Sequence, residues 1–423
     1  MKSRSMLGLG LALGLSTIAL GSGISGGIPS RPQAPLTPRD IKHIVVINLE
    51  NESFIDTFSK SSPATYLNGT LVPQGVLITH YYGTAHVSLP NYIAQVSGQA
   101  PTPTTQADCG STFSEVTPGT PRRGPNALGQ VKAKSGCVYP SSVATIADQL
   151  DALSPPDAVT HRATWRAYQE DMGNKPKRDG GSTCAHPIQD GPPAQFAVAK
   201  DGYATRHNPF VWFHSVIDDE AECSANVLPL GTLDLNGAPS PSSPLVTDFS
   251  STATTPAFSF ITPSLCNDGH DEVCVSKSAA GGHIGGLKAA DAWLRAWIPV
   301  LTSSPAFLEG SMMVVITFDE ARLGGPNGGD MCCNELPGPN VTQAGWVFGS
   351  GGGKVGALVL ASPSLIVPGS KDKTGRYNHY SALRTYEDLL GITTGGSDGL
   401  GHLGMAGAAG LAPFGIDVFN APV

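Results

Sequence analysis

Two almost uninterrupted apolar runs constrain the fold of this chain more than any other feature of its sequence. Ile41–Leu49 reads Ile-Lys-His-Ile-Val-Val-Ile-Asn-Leu, and Met312–Phe318 reads Met-Met-Val-Val-Ile-Thr-Phe. Both runs show little alternation between apolar and polar residues, which is typical of strands buried on both faces of a parallel sheet. Other strand candidates alternate with helical patterns along the chain. We therefore predict an α/β fold, a three-layer α/β/α sandwich around a largely parallel central sheet.

The rest of the chain supplies the other elements of such a fold. Apolar residues recur at helical spacing between Gly285 and Leu301, which predicts an amphipathic helix there. The same reasoning predicts further helices over 142–153 and from His379, and strands over 163–172, 258–262 and 356–361. The 51 glycines and 35 prolines indicate long loops, among them 101–138 and 173–202.

Composition limits the classes of function. The chain has 423 residues, of which 40% are hydrophobic and 14% charged, so it can bury a sizeable core. Its formal net charge is -8. Non-specific binding to nucleic acid needs a basic face, so we expect no nucleic-acid partner.

The first 25 residues have the pattern of an export signal. Lys2 and Arg4 form a basic start, and an apolar run follows from Met6 to Leu20. This run is short and glycine-rich for a membrane span, so we expect no stable membrane insertion; an uncleaved anchor is the alternative. We assign 1–25 to a signal peptide, 26–40 to a Pro-rich linker and 41–423 to one folded domain. The protein is then expected to be secreted or periplasmic.

The cysteine count agrees with export. The chain has eight cysteines, an even number, spread along its length. Such a pattern in an exported chain favours disulfides, although their connectivity cannot be deduced from the sequence. Cys266 and Cys274 bracket a short loop and are the preferred pair, and Cys109 and Cys137 are expected to tie the ends of the loop 101–138.

The stretch from Gly83 to Gly98 contains the first candidate for chemistry. Pro90 suits the first turn of a helix, and Gly98 is a suitable stop. Ser88 is therefore expected just before a helix N-terminus, where unpaired N–H groups and the helix dipole attract anions. Asn91, one turn on, can point its amide at the same place. These features suit a nucleophile facing a phosphoryl group; the alternative is that Ser88 only caps the helix.

Acidic residues follow both buried strands. Glu50 comes directly after the first strand, and Asp319 and Glu320 follow the second. Ligands gather at the carboxyl ends of parallel strands. With the Asn51 amide and the Ser88 hydroxyl, these carboxylates form an all-oxygen set suited to one divalent cation, Mg²⁺, Ca²⁺ or Mn²⁺ rather than Zn²⁺.

Three histidines complete this hypothesis. The imidazoles of His207, His270 and His379 are candidates for binding phosphoryl oxygens or protonating a leaving group. The carboxylates and the histidines also have a structural interpretation. Acidic residues at strand ends often only cap loops, and single histidines are often structural. From the residues alone the two interpretations are about equally supported.

Several motifs occur in a fixed order along the chain. They are Glu50-Asn51-x-Ser53-Phe54, His86-x-Ser88-x-Pro90-Asn91-Tyr92, Tyr-x-x-Arg-His-x-Pro-Phe ending at Phe210, Asn267-Asp268-x-His270-Asp271, Asp319-Glu320 and His379-Tyr380-Ser381. Together they resemble the phosphoesterase family of secreted acid phosphatases and phospholipases C, which is similar in fold to alkaline phosphatases. The similarity looks closest to exported actinobacterial acid phosphatases. It covers most of the chain outside 101–138, 173–202 and 321–345.

The resemblance implies roles for these residues. Ser88 would be the nucleophile of a phosphoseryl intermediate, and Asn91 would hold a phosphoryl oxygen. One metal ion would be bound by the five residues Glu50, Asn51, Ser88, Asp319 and Glu320. His207 and His270 would share leaving-group protonation and oxyanion stabilisation, in an order that stays open.

One residue of the second metal position differs from the two-metal relatives. Asn267 stands where those relatives have a carboxylate, so the histidines are expected to bind phosphate directly. A calcium loop over Asn267–Glu272 is the weaker structural alternative, because the EF-hand spacing is absent.

The resemblance thus implies that 41–423 is a phosphoesterase catalytic domain. The leading hypothesis is an exported, metal-dependent acid phosphatase acting on phosphomonoesters. A phospholipase C-type phosphodiesterase on the same scaffold is the alternative. The partner would be a small phosphorylated substrate or a phosphoinositide or phospholipid head group. A hypothesis from another class is a non-catalytic secreted protein that binds carbohydrate or surfaces.

Overall fold

The computed structural model describes residues 37–120, 128–153, 164–234, 237–270, 274, 280–333, 335–341 and 351–423. The predicted signal peptide, and the predicted linker as far as residue 36, lie outside these ranges. Pro38–Asp40, at the end of the predicted linker, form a 3₁₀-helix in which Pro38 is buried. Leu36–Val423 form one compact unit. No helix among the described residues is both long and apolar enough to cross a bilayer.

The described residues contain twelve strands and ten α-helices. The strands are β1 (His43–Leu49), β2 (Val76–Ile78), β3 (Tyr81–Tyr82), β4 (Thr117–Pro118), β5 (Ala133–Ser135), β6 (Trp165–Gln169), β7 (Val227–Pro229), β8 (Phe258–Thr262), β9 (Met312–Phe318), β10 (Ala357–Leu360), β11 (Ser370–Asp372) and β12 (Tyr377–Asn378). The helices are α1 (Phe54–Phe58), α2 (Ser88–Ser97), α3 (Ile146–Leu153), α4 (Pro176–Asp179), α5 (His214–Ile217), α6 (Glu220–Asn226), α7 (Pro244–Asp248), α8 (Gly286–Thr302), α9 (Pro305–Leu308) and α10 (His379–Leu389).

Eight of the strands form the central sheet, in the order β11-β2-β10-β9-β1-β8-β6-β7. β1 pairs in parallel with both β8 and β9, and β6 pairs in parallel with β7 and β8. β10 is antiparallel to both of its neighbours, β2 and β9. The sheet is therefore largely parallel, as predicted, with one strand reversed.

Both faces of the sheet are covered. Every residue of β1 and of β9 is buried, which requires packing on each side of the strands. α8 contributes a buried stripe that includes Trp293, Leu294 and Trp297, so these tryptophans belong to the core. The α/β/α sandwich that the apolar runs predict is confirmed.

One helix boundary shows how local chemistry corrects a periodicity prediction. The helix predicted over 142–153 begins only at Ile146. Thr145 donates from its N–H (2.6 Å) and its hydroxyl (2.7 Å) to the Asp148 carboxylate, and Asp148 N–H points back at the Thr145 hydroxyl. This reciprocal pair is a capping box, which sets the start of α3 at the next residue.

All eight cysteines are paired in four disulfides. The predicted pairs Cys109–Cys137 and Cys266–Cys274 are both present. The other two pairs, which the sequence left open, are Cys184–Cys223 and the adjacent residues Cys332–Cys333. The first three tie down loop-rich parts of the chain, including the insertions 101–138 and 173–202.

Candidate active site

The candidate site lies at the carboxyl ends of β1, β8 and β9. Leu49 and Phe318 are register partners, so Glu50 and Asp319 leave the sheet side by side. The N–H of Asp319 donates to Leu49 O at 2.9 Å, and the N–H of Glu50 donates to Asp268 O at 2.9 Å. The three strand ends therefore meet, as the sequence predicts for acidic residues that follow parallel strands.

Ser88 faces this edge from the start of α2. The helix begins at Ser88 itself and not one residue later, and Val87 before it has a φ of 66°, in the left-handed region. The Ser88 hydroxyl donates to Glu50 Oε2 at 2.7 Å. Both side chains are buried. The structure thus brings together a hydroxyl, a carboxylate and the amino-terminal turn of a helix.

The Asn91 side chain makes its hydrogen bonds within the loop that carries Ser88. Its Oδ1 accepts from the N–H groups of Thr84 (2.9 Å) and Ala85 (3.0 Å). Its Nδ2 donates to Ala85 O (2.8 Å) and Val87 O (3.0 Å). Both amide hydrogens are therefore used within the loop, and Asn91 positions the turn that carries Ser88. A direct contact between Asn91 and a phosphoryl oxygen stays a prediction.

Asn51 and Asp319 contact each other and Glu50. Asn51 Nδ2 donates to Glu50 Oε2 at 3.0 Å, and Asn51 N–H donates to Asp319 Oδ1 at 3.0 Å. Asn51 adopts a φ of 54°, which asparagine tolerates better than most residues. The Asp319 carboxylate also accepts from Glu320 N–H at 2.6 Å.

Glu320 is held by His86, which the sequence places two residues before Ser88. Glu320 Oε2 contacts His86 Nδ1, and His86 Nε2 donates to Gly328 O at 2.5 Å. Burial, followed by the charge of Glu50, raises the pKa of Glu320 and of Asp319 well above the usual carboxyl range. Crowded buried carboxylates of this kind are unfavourable unless positive charge lies nearby.

The donor set fits a hard divalent cation, although the carboxylates alone form no ready cage. Within the described ranges, no group of three or more His, Cys, Asp or Glu side chains is already arranged to hold a metal ion. However, Asp319 Oδ2 is buried and has no hydrogen-bond partner among the described residues, and the buried Glu50 Oε1 faces only His207 Nε2, at 3.3 Å, among the ion pairs of those residues. The Ser88 hydroxyl and Asn51 amide add neutral oxygen donors beside them. Oxygen donors of this kind suit Mg²⁺, Ca²⁺ or Mn²⁺.

His207 is packed against Glu50 from the other side. Its Nε2 lies 3.3 Å from Glu50 Oε1, and its ring stacks on Tyr92 with centroids 5.0 Å apart. Burial by itself would raise the pKa of Glu50, but the His207 charge and hydrogen bond lower that pKa to about 2. Burial also lowers the pKa of His207, against the pull of Glu50. Glu50 is therefore held in its ionised form by its neighbours at acidic pH.

His379 is structural in this site. Its Nε2 donates to Asp319 O at 2.6 Å, and its Nδ1 lies 3.1 Å from the Tyr81 hydroxyl. It is fully buried, and burial lowers its pKa to about 4. Both ring nitrogens have partners inside the protein, and binding of phosphate by His379 stays a prediction.

His270 and Asn267 lie on the loop after β8. The His270 side chain is exposed, and the backbone N–H of His270 donates to Asp268 Oδ1 at 2.9 Å. Asn267 Nδ2 donates to both carboxylate oxygens of Glu170 at 3.0 Å, and its Oδ1 accepts from Ala280 N–H at 2.7 Å. Asn267 thus takes part in a protein hydrogen-bond network. The alternative calcium loop includes residues 271–272, which lie outside the described residues.

Three residues at the site were not assigned from the sequence. His86 and Arg206 do stand inside the quoted motifs, beside Ser88 and His207 respectively. Asp108, whose Oδ1 accepts from Leu89 N–H at 2.9 Å, carries no sequence signal beyond its neighbour Cys109.

A cavity of about 1260 Å³ lies away from this site, at the amino-terminal ends of the strands, with Ile41, His43 and Ser311 among its lining residues.

Comparison with known proteins identifies the family. A model described as the phosphoesterase family matches residues 58–393, which is most of the chain. This chain belongs to the phosphoesterase family. The matched range contains Ser88, His207, His270 and the Asp319-Glu320 pair, while Glu50 and Asn51 precede it.

The relatives of this phosphoesterase include fungal proteins. It is 26% identical over 253 residues to the phosphate-repressible acid phosphatase of Penicillium chrysogenum, covering 59% of this chain and 42% of that protein. It is 24% identical over 282 residues to a probable acid phosphatase of Kluyveromyces lactis, covering 66% and 47%. The matches therefore span less than half the length of these curated relatives.

Among solved structures, the chain is similar to a protein of the alkaline phosphatase superfamily from Vibrio parahaemolyticus. The two are 12% identical, with a TM-score of 0.38, and the match covers 83% of this chain and 66% of the other.

Proposed function

We propose that this phosphoesterase is an exported acid phosphatase, a phosphoric ester hydrolase that cleaves phosphomonoesters through a phosphoseryl intermediate on Ser88. The observation that carries the proposal is the 2.7 Å hydrogen bond from the buried Ser88 hydroxyl to Glu50 at the first turn of α2. The names of the fungal relatives support the same activity. The four disulfides support export.

Ser88 and Glu50 carry the first step. Glu50 is ionised and accepts the hydrogen bond of the Ser88 hydroxyl, which leaves a lone pair of the Ser88 oxygen available to the phosphorus atom of the substrate. As the bond from Ser88 Oγ to phosphorus forms, the Ser88 proton passes to Glu50, the bond from phosphorus to the ester oxygen breaks, and the ester oxygen takes a proton from His270. Water then attacks the phosphoserine and gives a proton to His270, the bond from phosphorus to Ser88 Oγ breaks, and Glu50 returns its proton to Ser88, so that inorganic phosphate is released.

Two histidines are assigned to the leaving alcohol and to the negative charge on the phosphoryl oxygens. His270 is exposed on a loop that begins directly after β8 and is held by the Cys266–Cys274 disulfide, so it is placed to protonate the departing alcohol at the solvent side. His207 is buried against Glu50 and is placed to stabilise the phosphoryl oxygens.

A divalent cation is the cofactor we propose. Glu50, Asn51, Ser88, Asp319 and Glu320 would hold it, and when bound it would supply a lowered pKa for the Ser88 hydroxyl and neutralisation of phosphoryl charge. Two facts support this assignment: the buried Asp319 Oδ2, which has no hydrogen-bond partner among the described residues, and the raised pKa of Asp319 caused by burial and by Glu50.

Ser88→Ala is the decisive variant. We expect it to fold and to lose at least about a thousandfold in kcat on p-nitrophenyl phosphate, because the variant lacks the hydroxyl that forms the covalent intermediate. Acid quenching of the parent enzyme during turnover should leave phosphate on the Ser88 peptide, detected by mass spectrometry. Ser303→Ala, at an exposed helix end, is the control and should keep full activity. A Ser88→Ala enzyme within about tenfold of the parent would eliminate the proposal.

The same assay separates the two candidate activities. p-Nitrophenyl phosphate and its phosphorylcholine ester share a leaving group and differ in the second substituent on phosphorus. A phosphomonoesterase cleaves the first faster, and a phospholipase C-type diesterase cleaves the second faster.

Metal dependence has its own test. Exhaustive EDTA treatment should abolish activity, and Mg²⁺, Ca²⁺ or Mn²⁺ should restore it. Asp319→Asn should lose both tight metal binding, measured by elemental analysis after dialysis, and activity. Asp190→Asn, an exposed aspartate in the 173–202 insertion, is the matched control. Full activity in a metal-free sample would exclude the metal-assisted mechanism.

A further inference from the structure

Arg206 is the chain neighbour of His207, whose imidazole contacts Glu50, and it has no part in the reaction described above. It precedes His207 in the 3₁₀-helix Thr205–His207, and His207 Nε2 is 3.3 Å from Glu50 Oε1. The Arg206 side chain is only 12% exposed. A nearly buried guanidinium next to the proposed nucleophile needs a structural or a chemical reason, because arginine stays charged at any physiological pH.

Two residues from inserted loops hold this guanidinium in place. Arg206 Nη1 donates to Gln195 O and approaches Gln195 Oε1 at 3.4 Å, while Arg206 Nε lies 3.8 Å from Asp108 Oδ2. Gln195 Nε2 in turn donates to Asp108 O at 2.7 Å, and Asp108 Oδ1 accepts from Leu89 N–H. Arg206 is therefore tied, through Asp108, to the first turn of the helix that begins with Ser88.

The anchoring leaves one edge of the guanidinium available. Nε and Nη1 face Asp108 and Gln195, whereas Nη2 makes no hydrogen bond to any described residue. A planar guanidinium held at two nitrogens offers the third in a fixed direction, and phosphate oxygens are its preferred partners. The neighbouring side chains, Glu50 and Asp108, are carboxylates that by themselves repel an anionic substrate.

We propose that Arg206 binds the second charged oxygen of a phosphomonoester at Ser88, and that Asp108 and Gln195 position it. Arg206 then determines specificity, because a monoester can carry two negative charges whereas a diester carries one and has an ester oxygen in place of the other. This inference rests on the proposed phosphoesterase reaction at Ser88.

The test compares two substrates that share one leaving group. p-Nitrophenyl phosphate and methyl p-nitrophenyl phosphate differ only in whether the second oxygen is charged or methylated. Arg206→Gln should lower kcat/KM for the monoester by roughly 10- to 100-fold and change the methyl diester by less than about threefold. Arg206→Lys, which keeps the charge and loses the fork, should lie between. Arg295→Gln, a 58% exposed arginine on α8, is the matched control.

A binding measurement separates this inference from the proposed function. In the Ser88→Ala background, which cannot turn over, calorimetry with inorganic phosphate should show about tenfold weaker binding when Arg206→Gln is added. Equal losses on both substrates, or unchanged phosphate binding, would overturn the role of Arg206 while leaving Ser88 as the nucleophile. If Arg206→Gln fails to fold in a thermal scan, the monoester-to-diester ratio of Arg206→Lys decides instead, and an unchanged ratio contradicts the proposal.

Discussion

Asn91 holds the turn that aims Ser88, although it has no free amide hydrogen for the substrate. Its side chain joins Thr84, Ala85 and Val87, and Val87 is strained by its positive φ. Asn91→Ala should therefore lower kcat by roughly 10- to 100-fold, because the nucleophile loses its alignment. The inhibition constant of inorganic phosphate should stay within about threefold of the parent.

The control for this prediction lies one turn further along the same helix. Gln95 is also a buried amide, and it donates to Asn48 at 3.1 Å and to Asn91 O at 3.3 Å, away from the turn. Gln95→Ala should lose stability without a matching loss of kcat. A large rise in the phosphate inhibition constant of Asn91→Ala would restore the direct role implied by the family resemblance.

Residue types at this site were readable from the sequence, but their orientations were not. Glu50 and Asp319 follow strands that the apolar runs identify, so their meeting at one edge follows from parallel pairing. The ring of His379 and the amide of Asn91 point where distant backbone groups draw them, namely Asp319 O and the loop after Gly83. Such directions depend on tertiary partners that no local pattern encodes.

At the scale of elements, β8 and β9 coincide with the predicted strands because each largely apolar segment has a sharp end, at Pro263 after β8 and at Asp319 after β9. The reversal of β10 was not predictable. It depends on the path of the long segment after Glu320, which is rich in glycine and has no periodic pattern. The disulfide between the adjacent Cys332 and Cys333 was not predictable for the same reason, because both residues lie within that segment.

The loop after β8 provides the element-scale prediction. Cys266–Cys274 closes a loop of sequence separation 8 around Asp268 and His270, and Asp268 O accepts from Glu50 N–H. Replacing both cysteines by serine should cost about 2–3 kcal/mol in the free energy of unfolding. It should also lower kcat/KM roughly tenfold, because His270 loses its fixed position.

A second disulfide gives the comparison. Cys184–Cys223 closes a longer loop, of sequence separation 39, and Cys184 N–H bonds to Val227 at the edge strand β7. Its double serine variant should lose more stability, about 4 kcal/mol, and less activity per folded molecule. Activity losses in the opposite order would show that the His270 loop needs no disulfide.

At the scale of the whole molecule, several buried groups favour a mildly acidic environment. His402 Nδ1 lies 2.6 Å from Asp398 Oδ2, and its Nε2 lies 3.0 Å from Asp388 Oδ1. The hydrogen bond with Asp388 raises the pKa of His402, against burial and the charge of Arg384. Burial raises the pKa of nearby Glu387 well above its usual range, even though Leu403 N–H bonds to that carboxylate.

His402 and Glu387 both release protons as the pH rises, and both lie against or within the segment that packs on the end of α2. Leu403 follows His402, and Met405 N–H donates to Gly98 O at 2.8 Å. A group whose pKa is higher in the folded state stabilises the fold fully below its unfolded pKa and loses that effect as the pH passes its folded pKa. The contribution of His402 to stability is therefore complete below the unfolded histidine pKa of about 6.5, and it should be lost as the pH rises through the higher pKa of the folded state.

Asp398 sets the lower pH limit of the range in which this ion pair stabilises the fold. Burial acts to raise its pKa, but hydrogen bonds from His402 and from the N–H groups of Leu400 and His402 lower it. Its contribution is therefore present above the unfolded pKa of about 4 and is lost as the pH falls further. The salt-bridged pair is complete between roughly pH 4 and pH 6.5, which is the range in which the stability of this segment should be greatest.

His402→Gln tests this pH dependence directly. Thermal unfolding of the parent and of His402→Gln should differ most near pH 5, by several degrees, and the difference should shrink as the pH rises through the raised pKa of His402, because the parent histidine then becomes neutral. His214→Gln is the control, since His214 pairs with Asp218, whose side chain is 62% exposed, and such pairs contribute little. A difference between parent and His402→Gln that stays constant from pH 4 to pH 9 would show that packing, and not the charged pair with Asp388 and Asp398, accounts for the contribution of His402.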